Sequence, residues 1–361
     1  VLVTAIEATA LRSLAAVRVE LGEGIVTLIG PNGAGKTNLL EALYFALTGR
    51  SFRTSDRREL IPFGGQFGRA EATLRDRDGV EHRLLASVSR SEGRRHLLDG
   101  SPAEPAEIRR HRPPVAVFSP DRLTLVKGPP AERRAHIDSY VAARWPARAQ
   151  LRQRYGQALA QRNALLARLA AGRGGGDLAV WDQALAESAA SLVAARREAA
   201  DDLSAPFAAA ADALGLGAGS LEYAPRADGS PTEIRAGLEQ RREADLRLGR
   251  SSWGPHLDDL RVLVADRSLR RFGSQGQQRA GLLALLFAER EELLAANRVV
   301  PLLLLDDVMS ELDPERRDGL VACLAGDGQA LITAAAEESV PPSARRRVVR
   351  MPFEAPRSAA A

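Results

Sequence analysis

Cysteine occurs once in 361 residues, at Cys323, so the chain can close no disulfide within itself and suits a reducing compartment. Set in an apolar helical stretch, Cys323 reads as a buried filler rather than a nucleophile. Histidine is scarce too, and no metal cluster can be assembled from five histidines and one cysteine. Aromatic residues make up 4% of the chain and do not interleave with the basic runs, so no single-strand stacking platform is marked. No apolar run approaches the roughly 20 residues that span a bilayer, and Val1 to Ala10 lacks the basic region of a secretory signal. The expectation is a cytoplasmic, nucleoid-associated protein with no membrane partner. Lysine is confined to Lys36 and Lys127, leaving arginine to supply the rest of the 50 basic residues. Against 46 acidic residues the net charge is only +4, so an anionic partner has to be held by local patches.

What is present is an ordinary globular composition, 45% hydrophobic and 27% charged, long enough for two or three lobes. Val17, Val19 and Leu21 alternate on a strand, and after the Gly22-Glu23-Gly24 turn Ile25 to Ile29 reads as a continuous apolar run, a strand buried on both faces. Between Phe52 and Phe118 short β-type stretches (69–75, 82–89, 115–118) suggest a β-rich wing beside the first strands. From Ala131 to Leu214 the pattern turns helical. Leu178, Trp181, Leu185 and Leu192 form a heptad-like seam, and Leu151, Tyr155, Leu165 and Leu169 are in compatible phase. A glycine-rich link, 172–176, joins the two with Asp177 as N-cap, so a short antiparallel helical hairpin is expected with arms of about 20 to 35 residues, ~30 to 50 Å long. The α/β pattern resumes after Gly219, and the tail from Met351 to Ala361 reads as loosely ordered.

The strongest chemical signal follows the buried strand. Gly30-Pro31-Asn32-Gly33-Ala34-Gly35-Lys36-Thr37 matches the P-loop pattern GxxxxGK[ST] and opens a helix that stops at Gly49. Glycines allow backbone N–H groups to curl around phosphates, the helix N-terminus adds positive potential, Lys36 reaches the β- and γ-phosphates of ATP, and Thr37 offers its hydroxyl to Mg²⁺. A second apolar strand, Val299 to Leu305, delivers Asp306 and Asp307 at its C-terminal end. Asp306 fits a metal-holding acid, and Asp307 one that orients or deprotonates an attacking water. Gly273-Ser274-Gln275-Gly276-Gln277-Gln278-Arg279 precedes an apolar helix and would form an anion site at its start. In Ser310-Glu311-Leu312-Asp313, Asp313 and Pro314 suit the N-cap and N1 positions of the next helix.

This succession of P-loop, helical insertion, SxGQQ segment, paired acids and SxLD resembles the ABC-type ATPases, within them the SMC-like DNA-repair heads, and most closely the RecF family of DNA replication and repair proteins. Further supporting stretches are Asn38-Leu39-Leu40-Glu41-Ala42, Gly49-Arg50-Ser51-Phe52-Arg53-Thr54, Phe118-Ser119-Pro120, Arg133-Arg134 with Asp138, and Gly254-Pro255-His256. The resemblance implies an α/β ATPase head (1–128 and 251–361) with an α-helical second lobe carrying the hairpin (129–250). It implies a weak DNA-dependent ATPase that binds ATP and Mg²⁺ and closes as an ATP-dependent homodimer. Lys36, Asp306, Asp307 and Ser274 would be the catalytic set. Nucleotide would be held by residues 30 to 37, Asn38 and Arg12, with Ser274, Gly276, Gln277 and Asp313 reaching it from the second subunit. The partners implied are duplex DNA beside single-strand gaps, RecR and RecO, and indirectly the RecA recombinase.

The chain departs from the transporter branch of ABC ATPases. Where a switch histidine would follow the last core strand, Gln329 to Thr333 leads into three alanines, with Thr333 as a partial substitute. No Q-loop glutamine stands near Phe118, and Leu257 interrupts a basic position after His256, itself read as a structural histidine. Basic clusters at 109–112, 133–134, 267–271 and 345–347 are those available to DNA phosphates. A transporter's ATP-binding subunit is the alternative reading, and a small-molecule P-loop kinase a third.

Overall fold

A computed structural model describes residues 1–91, 93–119, 123–297, 300–324 and 328–352, with 297 and 311 in backbone only. Pro120, Val299 and the tail beyond 352, which carried expectations above, lie outside the described residues. The chain forms two compact units, one of residues Val1–Arg122, Ala213–Gly215 and Leu293–Ala361, the other of Leu123–Asp212 and Leu216–Glu292.

The first unit begins with the antiparallel pair β1 (Leu2–Leu11) and β2 (Leu14–Glu20), then β3 (Gly24–Ile29) and helix α1 (Lys36–Thr48). Gly49 ends α1 at φ 65°, its N–H returning to the Phe45 carbonyl, as a glycine C-cap should. β4 (Phe67–Arg75), β5 (Glu81–Ser89), β6 (Gly93–Leu98) and β7 (Ser101–Pro102) extend β1 into a six-stranded sheet in the order β2-β1-β4-β5-β6-β7. This is the expected wing, with one correction. After α2 (Pro105–His111), β8 (Val115–Phe118) does not join the wing but pairs in parallel inside the other sheet, because its apolar side chains need burial on both faces.

The second unit runs through α3 (Thr124–Lys127), α4 (Pro130–Arg144), α5 (Leu151–Ala170), α6 (Leu178–Ala213), β9 (Gly219–Ala224), α7 (Pro231–Gln240), α8 (Arg242–Leu248), β10 (Asp259–Val264), β11 (Arg267–Ser268), α9 (Leu269–Phe272) and α10 (Gln275–Asn297). The α5–α6 hairpin is antiparallel: Tyr155 packs with Leu185 to Leu192, and Leu165 and Leu166 with Leu178. Asp177 caps α6, accepting the Ala179 N–H at 2.8 Å. Two helices do not suffice, however, since Ile234 and Leu238 of α7 and Leu246 of α8 complete the core. That core also holds Arg162, which is fully buried and bonded to Asp182, Asp245 and Ser251 at 2.7 Å each. Arg133, expected among the DNA-facing basic clusters, is buried instead and forks onto Asp259 at 2.7 and 3.0 Å.

The chain then returns to the first unit with β12 (Leu302–Leu305), α11 (Pro314–Leu324), β13 (Gln329–Ala334) and β14 (Arg347–Arg350). With β3 and β8 they make a five-stranded, all-parallel sheet, order β14-β3-β13-β12-β8. Every residue of β12 and β13 is buried. Thr27 breaks the apolar run of β3 and is fully buried, its hydroxyl donating to the Ala344 carbonyl at 2.7 Å. Buried Gln329 stitches the two sheets together, exchanging hydrogen bonds with both backbone groups of Val3. Cys323 is half-buried on α11, not the buried filler expected. Residues 251–292, expected with the ATPase head, group with the helical lobe, because β10 pairs with β9 along its whole length.

Candidate functional site

The P-loop joins β3 to α1 at the C-terminal ends of the parallel strands, the end at which β12 delivers Asp306. Gly35 is the N-cap of α1 at φ 91°, a left-handed conformation that a side chain would strain. Gly30 is needed for a different reason: a Cβ there would lie 2.3 Å from the Met351 carbonyl oxygen. Lys36 is buried, and its ammonium donates to the carbonyls of Gly30 and Pro31 at 2.5 and 3.0 Å, which holds three N–H donors over the loop. Asn32, Gly33, Gly35, Lys36, Thr37 and Asn38 line one side of a cavity of about 310 Å³.

The opposite wall is Asp306, Asp307, Thr333 and Arg53. Thr37 Oγ1 donates to the Asp306 carboxylate, 2.9 Å from both oxygens, closing the first turn of α1 onto the end of β12. Thr333 Oγ1 donates to Asp306 Oδ1 at 2.9 Å and accepts the Asp307 N–H at 2.7 Å, so one hydroxyl orients both acids. Burial pushes the Asp306 carboxyl above the ordinary aspartate value; the Thr37 and Thr333 hydroxyls pull it back, and the neighbouring Asp307 charge adds to the rise. Asp307 itself sits at φ 49°, a strain of order 1–3 kcal/mol for a non-glycine residue. The strained backbone is braced on both sides, its N–H by Thr333 and its carbonyl by Ser310 Oγ at 3.0 Å.

The sequence-predicted residues therefore separate into two groups. Lys36, Thr37, Asn38, Asp306 and Asp307 come together around the cavity. Ser274, Gly276 and Gln277 stand at the start of α10, in the other unit. There the exposed Ser274 is the N-cap: its hydroxyl accepts the Gln277 N–H at 3.2 Å, and the Gln277 side chain accepts the Ser274 N–H at 2.9 Å. That reciprocal pair is a capping box. Asp313 is likewise an exposed N-cap, accepting the Arg316 N–H at 2.9 Å. His256 is structural, as expected, paired with the Tyr155 hydroxyl at 2.6 Å. Arg12 lies in the β1–β2 turn and forks onto Glu41 of α1 at 2.9 and 3.1 Å. Sequence reasoning gave no site role to Arg53 or Glu41; the only signal was their presence in two of the stretches that carry the family resemblance, Glu41 within α1 and Arg53 just after it.

Residues 2–355 match the family described as RecF/RecN/SMC N terminal domain. A protein named DNA replication and repair protein RecF from Anaeromyxobacter sp. (strain Fw109-5) is 38% identical over 348 residues, covering 92% of both chains. The chain belongs to the RecF family. A RecF from Streptomyces avermitilis is 35% identical over 349 residues, 91% of this chain and 92% of that one. Among solved structures, the recombination mediator protein RecF-ATP in the RecFOR pathway is similar at a TM-score of 0.82 and 28% identity, covering 94% of this chain and 93% of that one. An Smc head bound to the C-winged helix domain of ScpA shares the fold, with a TM-score of 0.57 at 16% identity, covering 93% and 90%. The fold is that of the RecF and SMC ATPase heads, and RecF-family membership displaces the transporter-subunit and metabolite-kinase readings. Among the described residues no helix is long and apolar enough to cross a membrane.

Proposed function

We propose that this chain is an ATP-gated DNA clamp of recombinational repair. ATP and Mg²⁺ close two copies face to face, closure favours binding at duplex beside a single-strand gap, and slow hydrolysis reopens the pair. With mediators of the RecR and RecO type the clamp helps load the RecA recombinase, in the cytoplasm and on the nucleoid. The observation that carries this reading is the Thr37–Asp306–Thr333 chain, which ties the phosphate loop to both acids that follow β12.

The residues present fit a magnesium nucleotide. Mg²⁺ typically takes one or two carboxylates, a hydroxyl and phosphate oxygens rather than a dedicated protein cage. Thr37 supplies the hydroxyl and Asp306 the carboxylate of such a set. When bound, the ion would neutralise charge on the phosphate oxygens. Lys36 adds its fixed positive charge, and the open N–H groups at the start of α1 add theirs. Asp307, held out of the sheet by its strained backbone, orients or deprotonates the attacking water. Ser274, Gly276, Gln277 and Asp313 would serve the nucleotide of the second copy, a role that the exposure of Ser274 and Asp313 supports.

Anisotropy of a labelled gapped duplex, with Mg²⁺ and with or without ATP, tests the reading. Tighter binding with ATP, weakening steeply as salt is raised, is expected. Equal affinity in both states contradicts the clamp.

A further inference from the structure

One aromatic ring on the first unit stands wholly in water. Phe63 is fully exposed, at 108% of its reference area, and Phe67 a few residues on is 49% exposed. They sit on the link between α1 and β4, and that link is pinned on both sides of them. Before them, Leu60 and Ile61 are buried and the Leu60 carbonyl accepts the Arg12 N–H at 2.8 Å. After them, Gly68 is buried so closely that a Cβ there would lie 2.9 Å from the Ala10 carbonyl oxygen. Between the pins the Gly65 N–H donates to the Pro62 carbonyl at 2.9 Å, which closes a turn with Phe63 and Gly64 at its centre. Gly64 holds φ 77°, the left-handed value that the third position of a type II turn requires.

The surroundings of this tip are basic. Arg90 donates from Nε to the Gly65 carbonyl at 3.1 Å and from its backbone N–H to the Gln66 carbonyl at 3.0 Å, so its guanidinium is fixed against the turn. Arg57 and Arg58 stand on the short helical turn Arg57–Leu60 that leads into it. Burial, and then the charges of Arg94 and Arg50, push the ionisation of Arg57 below the ordinary arginine value, with no carboxylate opposing them. Of the acids in the segment, Asp56 is engaged in capping that helical turn, accepting the Arg58 N–H at 2.9 Å, and Glu59 is the other. A protein partner anchors on an aromatic set within a wider apolar patch. Phe63 is instead followed by Gly64, Gly65 and Gln66, with arginines on either side, and its exposure leaves both ring faces uncovered. An open ring among cations matches a nucleobase, whose flat face stacks on the ring while a cation holds the neighbouring phosphate.

We infer that Phe63 is a stacking residue that reads the gap: its ring packs on the base left open where duplex gives way to single strand, with Arg90 beside a flanking phosphate. An uninterrupted duplex keeps its bases paired and stacked inside and offers the ring no face, whereas a junction leaves one free. Because the turn is already pinned, little ordering is lost on contact. The inference deepens the binding of gapped DNA proposed above and rests on it.

The test measures, by anisotropy with magnesium ATP and across a salt series, the affinity of the full chain and its Phe63→Ala, Phe63→Leu, Phe63→Trp and Arg90→Ala variants for a gapped duplex and for an uninterrupted duplex of equal length. Thermal unfolding is followed in parallel, and the Phe63 variants, altered only in solvent, should keep the wild-type midpoint. Phe63→Ala should bind gapped duplex about tenfold more weakly with its salt dependence unchanged, and uninterrupted duplex within about twofold of wild type. Phe63→Trp should bind gapped duplex at least as well as wild type. Phe63→Leu should bind it as poorly as Phe63→Ala, because leucine keeps apolar area and lacks a stacking face. Arg90→Ala should reduce the salt slope by about one. Wild-type affinity for gapped duplex in Phe63→Ala overturns the inference and leaves the clamp reading standing; loss of a RecR-type mediator by that same variant would assign the ring to a protein partner instead. Equal losses on the two duplexes overturn the role of Phe63 in reading the gap. A wild type that binds neither duplex with ATP defeats the clamp reading, and the inference with it.

Discussion

The P-loop region and the Ser274 segment at the start of α10 are built on opposite physical terms. Around the P-loop, Lys36, Asp306 and Thr333 are buried and tied to their neighbours: Lys36 to loop carbonyls, Asp306 to two hydroxyls, and the half-buried Asp307 through its backbone N–H to Thr333. At the start of α10, Ser274 is exposed and bonded only within its own helical turn. A buried and cross-linked site is ready for its ligand within one chain. An exposed cap is a surface, finished locally as a helix terminus and free to be covered. Under the proposed function, nucleotide capture would belong to a single subunit and its readout to the closed pair.

Breaking the first region should have the largest effect. Lys36→Met removes the only cation seated in the loop, and ATP affinity should fall by about 100-fold or more in a calorimetric titration. Measurable micromolar binding would mean that the N–H cradle suffices alone. Next, Asp307→Asn should leave ATP affinity within about threefold of wild type while single-turnover hydrolysis drops by roughly 100-fold or more. Full turnover in that variant removes Asp307 from the mechanism.

The second region should respond in the opposite pattern. Ser274→Ala costs the α10 cap, so the unfolding free energy should fall by about 1 kcal/mol with ATP affinity of the isolated chain unchanged. A large loss of ATP affinity in this variant would erase the contrast between the regions. The smallest effect concerns Asp306. Its carboxyl titrates above the ordinary value, so the native state binds more protons than the unfolded chain, and this contribution to stability is present at low pH and lost as pH rises through the raised value. Asp306→Asn should therefore unfold at a higher temperature than wild type near neutral pH, with the difference vanishing on acidification. A constant offset at every pH would show that the carboxylate's charge is not the cause.

The P-loop region was also the more legible of the two in the sequence. The loop, the strand before it, the Gly49 stop and the acids after β12 are local patterns, each fixed by neighbouring residues. The Asp313 cap was legible for the same reason. What local pattern cannot supply is a partner far along the chain. Arg53 and Glu41 lie 12 residues apart with a helix end between them, and Thr333 meets Asp306 across 27 residues. Val115 to Phe118 reads as any short apolar strand, and only pairing with Leu302 to Leu305 assigns it to the parallel sheet. Arginine runs were the least informative. Arg133 belongs to a basic cluster in sequence and to a buried ion pair with Asp259 in space, and Arg196 is buried against Asp138 and Asp258. In a chain whose basic residues are nearly all arginine, charge runs mark internal scaffolding as readily as a phosphate-binding face.

The central claim is that one subunit captures ATP and the Ser274 surface at the start of α10 reads it out in a second. The most direct measurement is the solution mass, by light scattering with Mg²⁺ and with or without ATP, of wild type and Ser274→Arg, alongside nucleotide bound per chain. The account predicts that wild type doubles its mass with ATP, while Ser274→Arg binds ATP equally and stays a monomer. A Ser274→Arg protein that dimerises normally on ATP would contradict it.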